Sequence, residues 1–321
     1  MITAWLPTEK GLQRVDAGVD NVPSEAVWID AVDITREEEA FLEKHLTLEM
    51  PTRAEMQEIE ASNRLYREGQ AIYMTSTMLI KTETESPETT AVTFILTPKV
   101  LVTLRYAEPW SFRVFASRAA KCGAHNADLT FISLLETTVE RLADLLELVS
   151  LELENISQQT FKLRQVGREI DLQRSLIKIG RCGNIAGKVR ESLVDKGRMV
   201  IFAEQAAAEA LCAEGRARMN AVRRDIQSLS DHASHTFGKI QFLLDATLGL
   251  ISIDQNRIIK LFSIAAVIFL PPTLVASIYG MNYKLWPAFA ADSPWGFPFA
   301  MGIMFVSVGL TLWYFKRQRW L

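Results

Sequence analysis

Cysteine is scarce in these 321 residues: Cys122, Cys182 and Cys212 are odd in number and far apart. No CxxC pair occurs, so neither a disulfide framework nor a zinc ribbon is supported, and reduced thiols fit a body on the cytoplasmic side. P-loop, nucleophile elbow, HExxH and dinucleotide fingerprint are all missing, which argues against an enzyme, against ATP-driven pumping and against a cofactor. A basic balance is missing as well. The net charge of −3 conceals +5 between Asn256 and Leu321 and −8 over residues 1–255. A net acidic body argues against nucleic acid, whose binding rests on phosphate neutralisation. It is compatible with attracting cations, although most acidic surfaces simply keep a protein soluble.

Charge disappears altogether from two stretches of 23 residues, Leu261–Tyr283 and Ser293–Phe315. A bilayer core of roughly 30 Å needs about 20 residues of helix to cross it. Lys260 and Lys284 bracket the first stretch, Asp292 and Lys316 the second. Neither reads as a signal peptide, given its place late in the chain. The expected organisation is an α+β cytoplasmic domain over residues 1–110, long stalk helices over 111–257 and a transmembrane hairpin over 258–321, with spans at about 258–280 and 294–315. Arg257 and Lys260 lead into the first span, and Lys316-Arg317-Gln318-Arg319 leave the second. The turn between them carries only Lys284 against Asp292. The positive-inside rule therefore places both termini in the cytoplasm, with the turn outside; the expected location is a bacterial-type inner membrane.

Within the first 110 residues, Met1–Leu6, Ala26–Asp30, Ala71–Lys81, Ala91–Thr97 and Val100–Arg105 are rich in β-branched and aromatic residues and read as strands. Thr82–Thr90 joins two of them, and Thr97-Pro98-Lys99 reads as a tight hairpin. Thr35-Arg-Glu-Glu is a capping-box pattern, and Pro51 predicts the first turn of a helix running to about Ala61. From about Trp110 the period is helical. Helices are expected over Asp128–Leu163 and Gly167–Val194, with a third resuming near Gly197. No proline interrupts that third segment before Pro271, and Gly215, Gly238 and Gly249 weaken without clearly ending it. One very long helix into the bilayer is the simplest reading, and it must pack against its neighbours or against other copies.

A single two-span hairpin cannot enclose a water-filled path, so conduction requires several copies around an axis. Asn256, Ile259, Ser263, Ala266, Leu270, Thr273 and Ser277 recur at intervals of three and four, on one side of the first span, with Phe262 at the edge. Small and hydroxylated residues alternating with Ile259 and Leu270 suit a gated pore. They equally suit a helix–helix packing face, so spacing leaves both open. Pro271-Pro272 removes two backbone donors and is expected to kink or loosen the span.

The first stretch runs into Tyr279-Gly280-Met281-Asn282. Placed between two spans, this turn resembles the signature of the CorA family of divalent-cation channels. Pro271 and Thr273 upstream, and Tyr314-Phe315-Lys316-Arg317 with the terminal Trp320-Leu321, continue the resemblance. It implies a funnel-shaped homopentamer whose first spans line the pore. Gly280, Met281 and Asn282 would form the selectivity filter, a ring of amide oxygens holding a hydrated ion weakly enough to release it. The pore positions carry over onto Asn256, Ile259, Phe262, Ala266, Leu270 and Thr273, with Ile259, Phe262 and Leu270 closing by dewetting. Lys260, Lys316, Arg317 and Arg319 would form a basic collar at the cytoplasmic mouth.

The sequence departs from relatives after the filter, where Tyr283-Lys284 replaces the common acidic turn. On the stalk, Ala221 stands where a regulatory aspartate is expected, with Asp225 and Asp231 nearby, so the regulatory metal site is unknown. Mg2+ is the expected ion, with Co2+ and Ni2+ as companions. The alternatives are a Zn2+ transporter of the ZntB type, with or without proton coupling, whose filter is usually GVN or GIN, and a non-conducting membrane scaffold. His232 and His235, three apart, offer zinc a two-ligand start. No ionisable residue interrupts either span, which favours passive flow over a proton relay.

Overall fold

The computed structural model of the chain describes residues 1–17, 21–58, 60–84, 86–121, 126–165, 171–207, 211–280 and 295–318. They divide into two compact units, Met1–Asp245 and Ala246–Leu321.

In the first unit, strands β1 (Ile2–Pro7), β2 (Leu12–Ala17), β3 (Trp28–Val32), β4 (Leu65–Glu68), β5 (Ala71–Ile80), β6 (Glu88–Leu96) and β7 (Leu101–Arg105) make one sheet in the order β2-β1-β3-β7-β6-β5-β4. All pairs are antiparallel except β3 and β7, which run parallel with Trp28 opposite Leu101 and Val32 opposite Arg105. The central strands read as almost unbroken apolar runs because both sheet faces are covered. Helix α1 (Arg36–Leu46) closes one face over Tyr73, Ile95 and Val102. On the other face, α3 (Trp110–Arg118), α4 (Ala127–Gln165), α5 (Leu172–Ala206) and the first part of α6 (Ala213–Gly280) pack on Ile72, Met74, Phe94 and Leu101. The three long helices then pack on one another through Val149, Leu153, Ile179, Ala186, Ile240 and Leu243. Gly11 brings the β1–β2 turn against a 3-10 turn at Ala119–Lys121, where a Cβ would lie 2.3 Å from the Ala119 carbonyl oxygen.

Several expected elements stand as read. The Thr35 capping box is complete: Glu38 N–H donates to Thr35 Oγ1 at 3.3 Å and Thr35 N–H to Glu38 Oε2 at 2.9 Å. Thr97 N–H bonds the Val100 carbonyl at 3.0 Å to close the β6–β7 hairpin. The strand expected at Ala26–Asp30 begins two residues later, at Trp28. The edge strands β2 and β4 were missed, since Leu12-Gln-Arg-Val-Asp-Ala and Leu65-Tyr-Arg-Glu are charged and half exposed.

Two helix readings are corrected. Pro51 opens no helix to Ala61; the segment makes a 3-10 turn at Glu55–Gln57 and a single turn, α2 (Ala61–Arg64), before pairing resumes at β4. Thr52 and Glu55 close a box at the start of the 3-10 turn, with Thr52 N–H 2.7 Å from Glu55 Oε2. The second helix does not end at Val194, nor does the third resume near Gly197. Gly197 lies inside α5, where a Cβ would meet Ile226 Cγ2 at 3.6 Å, so the glycine marks close helix approach, not a break. Helix α6 begins at Ala213 and runs 68 residues through Gly215, Gly238 and Gly249.

Two groups of buried polar side chains in the first unit are paired across elements. Arg105 forks onto Asp30, at 2.8 Å to Oδ2 and 3.0 Å to Oδ1, across the parallel β3–β7 pair. Thr103 donates to the same carboxylate at 2.7 Å and accepts from Trp28 Nε1 at 2.9 Å. Between β5 and α5, Asp195 takes Arg64 at 3.0 Å, Ser76 at 3.1 Å and the Thr77 N–H at 2.6 Å. Next to it Lys196 is wholly buried, its ammonium 2.8 Å from the Thr77 carbonyl and 2.9 Å from Ser192 Oγ. Burial lowers its pKa to about 8, against a partial upward pull from Asp195.

Two measurements follow. Asp30→Ala is expected to cost about 3–5 kcal/mol in chemical unfolding, because it strands a buried guanidinium; a loss under about 1 kcal/mol would show the pair to be dispensable. For Lys196 the folded state holds its proton less tightly than the unfolded chain, whose value is 10.5. Stability therefore rises with pH between about 8 and 10.5, by roughly 3 kcal/mol in all. Lys196→Met should flatten that rise relative to the unsubstituted chain in melts across this range; an unchanged slope would contradict it.

Candidate functional site

The second unit holds the rest of α6, from Ala246, and α7 (Gly296–Arg317). Both helices are long and apolar enough to cross a membrane, and only 6% and 11% of their most apolar windows are buried within the chain. A soluble core helix of that composition would be covered. Through Pro271 and Pro272 the helix stays unbroken. Neither ring has an N–H, so the carbonyls of Val267 and Ile268 lose their usual i+4 donors.

The two sides of the first span differ. Ile264 is 8% exposed, and Ala265, Ile268, Pro271, Pro272, Val275 and Tyr279 are half-buried. These positions recur at three, four and seven, so they form one helical face. On α7 the matching row is Gly296, Ala300, Met304, Ser307, Thr311 and Phe315, with Ala300 6% and Phe315 5% exposed. Small residues at Gly296, Ala300 and Ser307 let two helix backbones approach.

Asn256, Ile259, Phe262, Ser263, Ala266, Leu270, Thr273 and Ser277 are all exposed within the chain. At 3.6 residues per turn their mean direction lies about 180° from the Ile264–Val275 face. The structure thus gathers all eight on one side and leaves that side free of intrachain packing. Ser263 Oγ donates to the Ile259 carbonyl at 2.8 Å and Thr273 Oγ1 to the Phe269 carbonyl at 2.7 Å. With their protons spent on the helix, both hydroxyls turn acceptor lone pairs outward, suited to the water protons around a cation. Ile259, Phe262 and Leu270, at 62%, 72% and 66% exposure, supply the bulky apolar rungs between them.

Gly280 is the last residue of α6, while Met281 and Asn282 lie outside the described residues. Of the basic residues, Lys260, Lys316 and Arg317 are exposed and Arg319 is outside the described residues. In the first unit Asp225 shares a cleft with Glu136 and Glu140, but Arg218 already engages Glu136 at 2.6 Å. His232 Nε2 lies 3.3 Å from Ser150 Oγ. Among the described residues no group of three His, Cys, Asp or Glu side chains could hold a metal. Sequence reasoning missed the Arg64–Asp195–Lys196 network and the stacking of Arg317 on Trp313, whose ring centroid is 5.5 Å from the guanidinium carbon. For the buried network no sequence signal exists; the i, i+4 spacing of Trp313 and Arg317 was the available clue to the second.

A mixed-sheet and helical body whose last long helix continues into a pair of exposed apolar helices defines a class of membrane-associated proteins. The family model described as CorA-like Mg2+ transporter protein matches residues 23–317. The chain belongs to this CorA family, a family of ion transporters and not of enzymes. It is 34% identical over 323 residues, covering 100% of both chains, to the magnesium transport protein CorA of Pasteurella multocida (strain Pm70). In fold it is similar to the complete structure of the CorA magnesium transporter from Methanocaldococcus jannaschii, with a TM-score of 0.74 at 17% identity, covering 100% of this chain and 99% of that one. The ZntB cytoplasmic domain from Vibrio parahaemolyticus shares the fold with a TM-score of 0.59 at 10% identity, over 79% of this chain and 97% of that one.

Proposed function

We propose that this protein is a passive, potential-driven channel for hydrated Mg2+, built as a homopentamer in a bacterial-type inner membrane with both termini in the cytoplasm. Co2+ and Ni2+ are its companion ions. The observation that carries the reading is the separation of the two faces of the first span. Ile264, Ile268 and Val275 are turned to intrachain packing, while the Asn256–Ser277 stripe is exposed and free to face an axis shared by five copies. A packing role for the stripe would need a second partner, and the axis of an oligomer supplies one lined with water.

In this reading the domains are residues 1–110, 111–257 and 258–321. Gly280, Met281 and Asn282 form the filter at the outer mouth, where neutral amide oxygens bind the ion's retained waters without trapping it. Asn256, Ser263, Ala266, Thr273 and Ser277 give the ion polar or open rungs. Ile259, Phe262 and Leu270 close the path by dewetting when the helices approach. Lys260, Lys316, Arg317 and Arg319 set a positive field at the cytoplasmic end. The names of the full-length relatives point to magnesium. The zinc reading rests on fold likeness at 10% identity and on two histidines with no third ligand among the described residues.

The test is dye-reported flux into proteoliposomes. Asn282→Ala is expected to abolish Mg2+ entry while native mass spectrometry still finds a pentamer; wild-type flux in that variant would remove the filter assignment. Zn2+ entry that tracks a pH gradient, with Mg2+ inert, would move the protein to the zinc branch. Single cysteines at Ala266 and Ile264, in a chain whose native cysteines are serine, compare the two faces. The Ala266 position should react with a membrane-impermeant thiol reagent and the Ile264 position should not.

A further inference from the structure

One exposed side of α7 ends at two of the basic residues assigned to the cytoplasmic collar. About 110° around the helix from the Ala300–Phe315 row, Phe299, Ile303, Val306, Leu310, Trp313 and Arg317 recur at intervals of four and three, so they form one row along the helix. Val306, Leu310 and Trp313 are 62%, 60% and 58% exposed, and the row is apolar until its last member. Arg317 then lies over the Trp313 ring, 5.5 Å from guanidinium carbon to ring centroid, within cation–π range. Lys316 is exposed on the other flank of the same indole, three residues from Trp313. Arg317 thus stacks on one exposed aromatic ring, with exposed Lys316 next to it in sequence, at the end of a lipid-length apolar row.

Basic residues in a last helical turn also complement the macrodipole. The direction of Arg317 follows from the tilt of helical side chains toward the N-terminus. Its guanidinium folds back over the residue four positions earlier, toward the apolar row and away from the helix end. Indole rings settle at the level of the headgroups, so a guanidinium stacked on one is held at the depth of the lipid phosphates. Arginine matches a phosphodiester with paired donors, and lysine adds a point charge beside it.

We propose that Trp313, Lys316 and Arg317 form a binding site for the phosphodiester headgroup of an anionic phospholipid in the inner leaflet. Arg317 adds its charge to the field at the cytoplasmic mouth, but its direct partner is lipid. The proposal rests on the reading that these helices span a membrane with α7 outside the first span. What the site contributes is anchorage of each outer helix to the leaflet on the side where the basic collar lies.

The full-length protein, purified from liposomes of mixed dioleoylphosphatidylglycerol and dioleoylphosphatidylcholine, tests it through native mass spectrometry of the retained lipids. The wild type should retain phosphatidylglycerol preferentially. Arg317→Gln, and likewise Lys316→Gln, should each lower that preference about fivefold, the size expected of one cation near an anionic surface. Trp313→Leu should weaken it while leaving the apolar row intact. Preference unchanged in the Lys316→Gln/Arg317→Gln double variant would overturn the site. A wild type that carries no Mg2+ in any lipid, yet retains phosphatidylglycerol through these two residues, supports the lipid site and sinks the channel reading alone.

Discussion

Helix α6 must be satisfied by two different surroundings along one unbroken backbone, and the arrangement of the chain follows from that constraint. Up to Asp245 one face of it, with Met219, Val222, Ile226, Ile240 and Leu243, is buried against α4, α5 and the sheet. Beyond that point Ile259, Leu261, Phe262, Val267 and Phe269 are exposed. In water that exposure would be costly, at about 25 cal/mol for each Å² of apolar surface. In hydrocarbon it costs nothing, but there every backbone group must be bonded within the helix. A helix that never breaks answers both demands everywhere but at the Val267 and Ile268 carbonyls, which face Pro271 and Pro272, since it carries its own hydrogen bonds from one medium into the other.

Crossing hydrocarbon leaves little to hold two helices together, because lipid tails are as apolar as leucine. Close approach must then do the work, and the hairpin uses small residues on α7 and short branched ones on α6 for it. This one-sided packing frees the opposite side of α6. The same division explains why the stripe can be polar: Ser263 and Thr273 bond their own helix, so neither is an unsatisfied donor in an apolar setting.

The first unit follows different physics. Its rigidity comes from a sheet covered on both faces and from buried charge tied down by specific partners. Asp30, Arg105, Thr103 and Trp28 form a connected chain across the one parallel pair of the sheet. Lys196 is more costly, since its ammonium meets a carbonyl and a hydroxyl and its nearest carboxylate, Asp195, is committed to Arg64 and β5. Such a group couples the stability of the α5–β5 contact to pH, in a unit otherwise governed by hydrophobic packing.

Sequence by itself determined the features that depend on local period and composition. Uncharged length identified both spans, the three-and-four spacing from Asn256 to Ser277 identified a face, and Thr35 with Glu38 identified a helix start. The YGMN turn and the ending pointed to the family that the comparisons then showed. Tertiary structure alone decided what depends on contact between distant segments. The helix expected after Pro51 yielded to the pairing of β4 with β5, and the break expected near Gly197 moved to the segment before Ala213, because Gly197 is where α5 meets Ile226. Edge strands were invisible because their charged residues serve solvent on one side while pairing on the other. Spacing could show that the Asn256–Ser277 residues share a face but not whether that face is covered. Coverage depends on which other residues of the chain come to lie against it, and that is a fact of three dimensions.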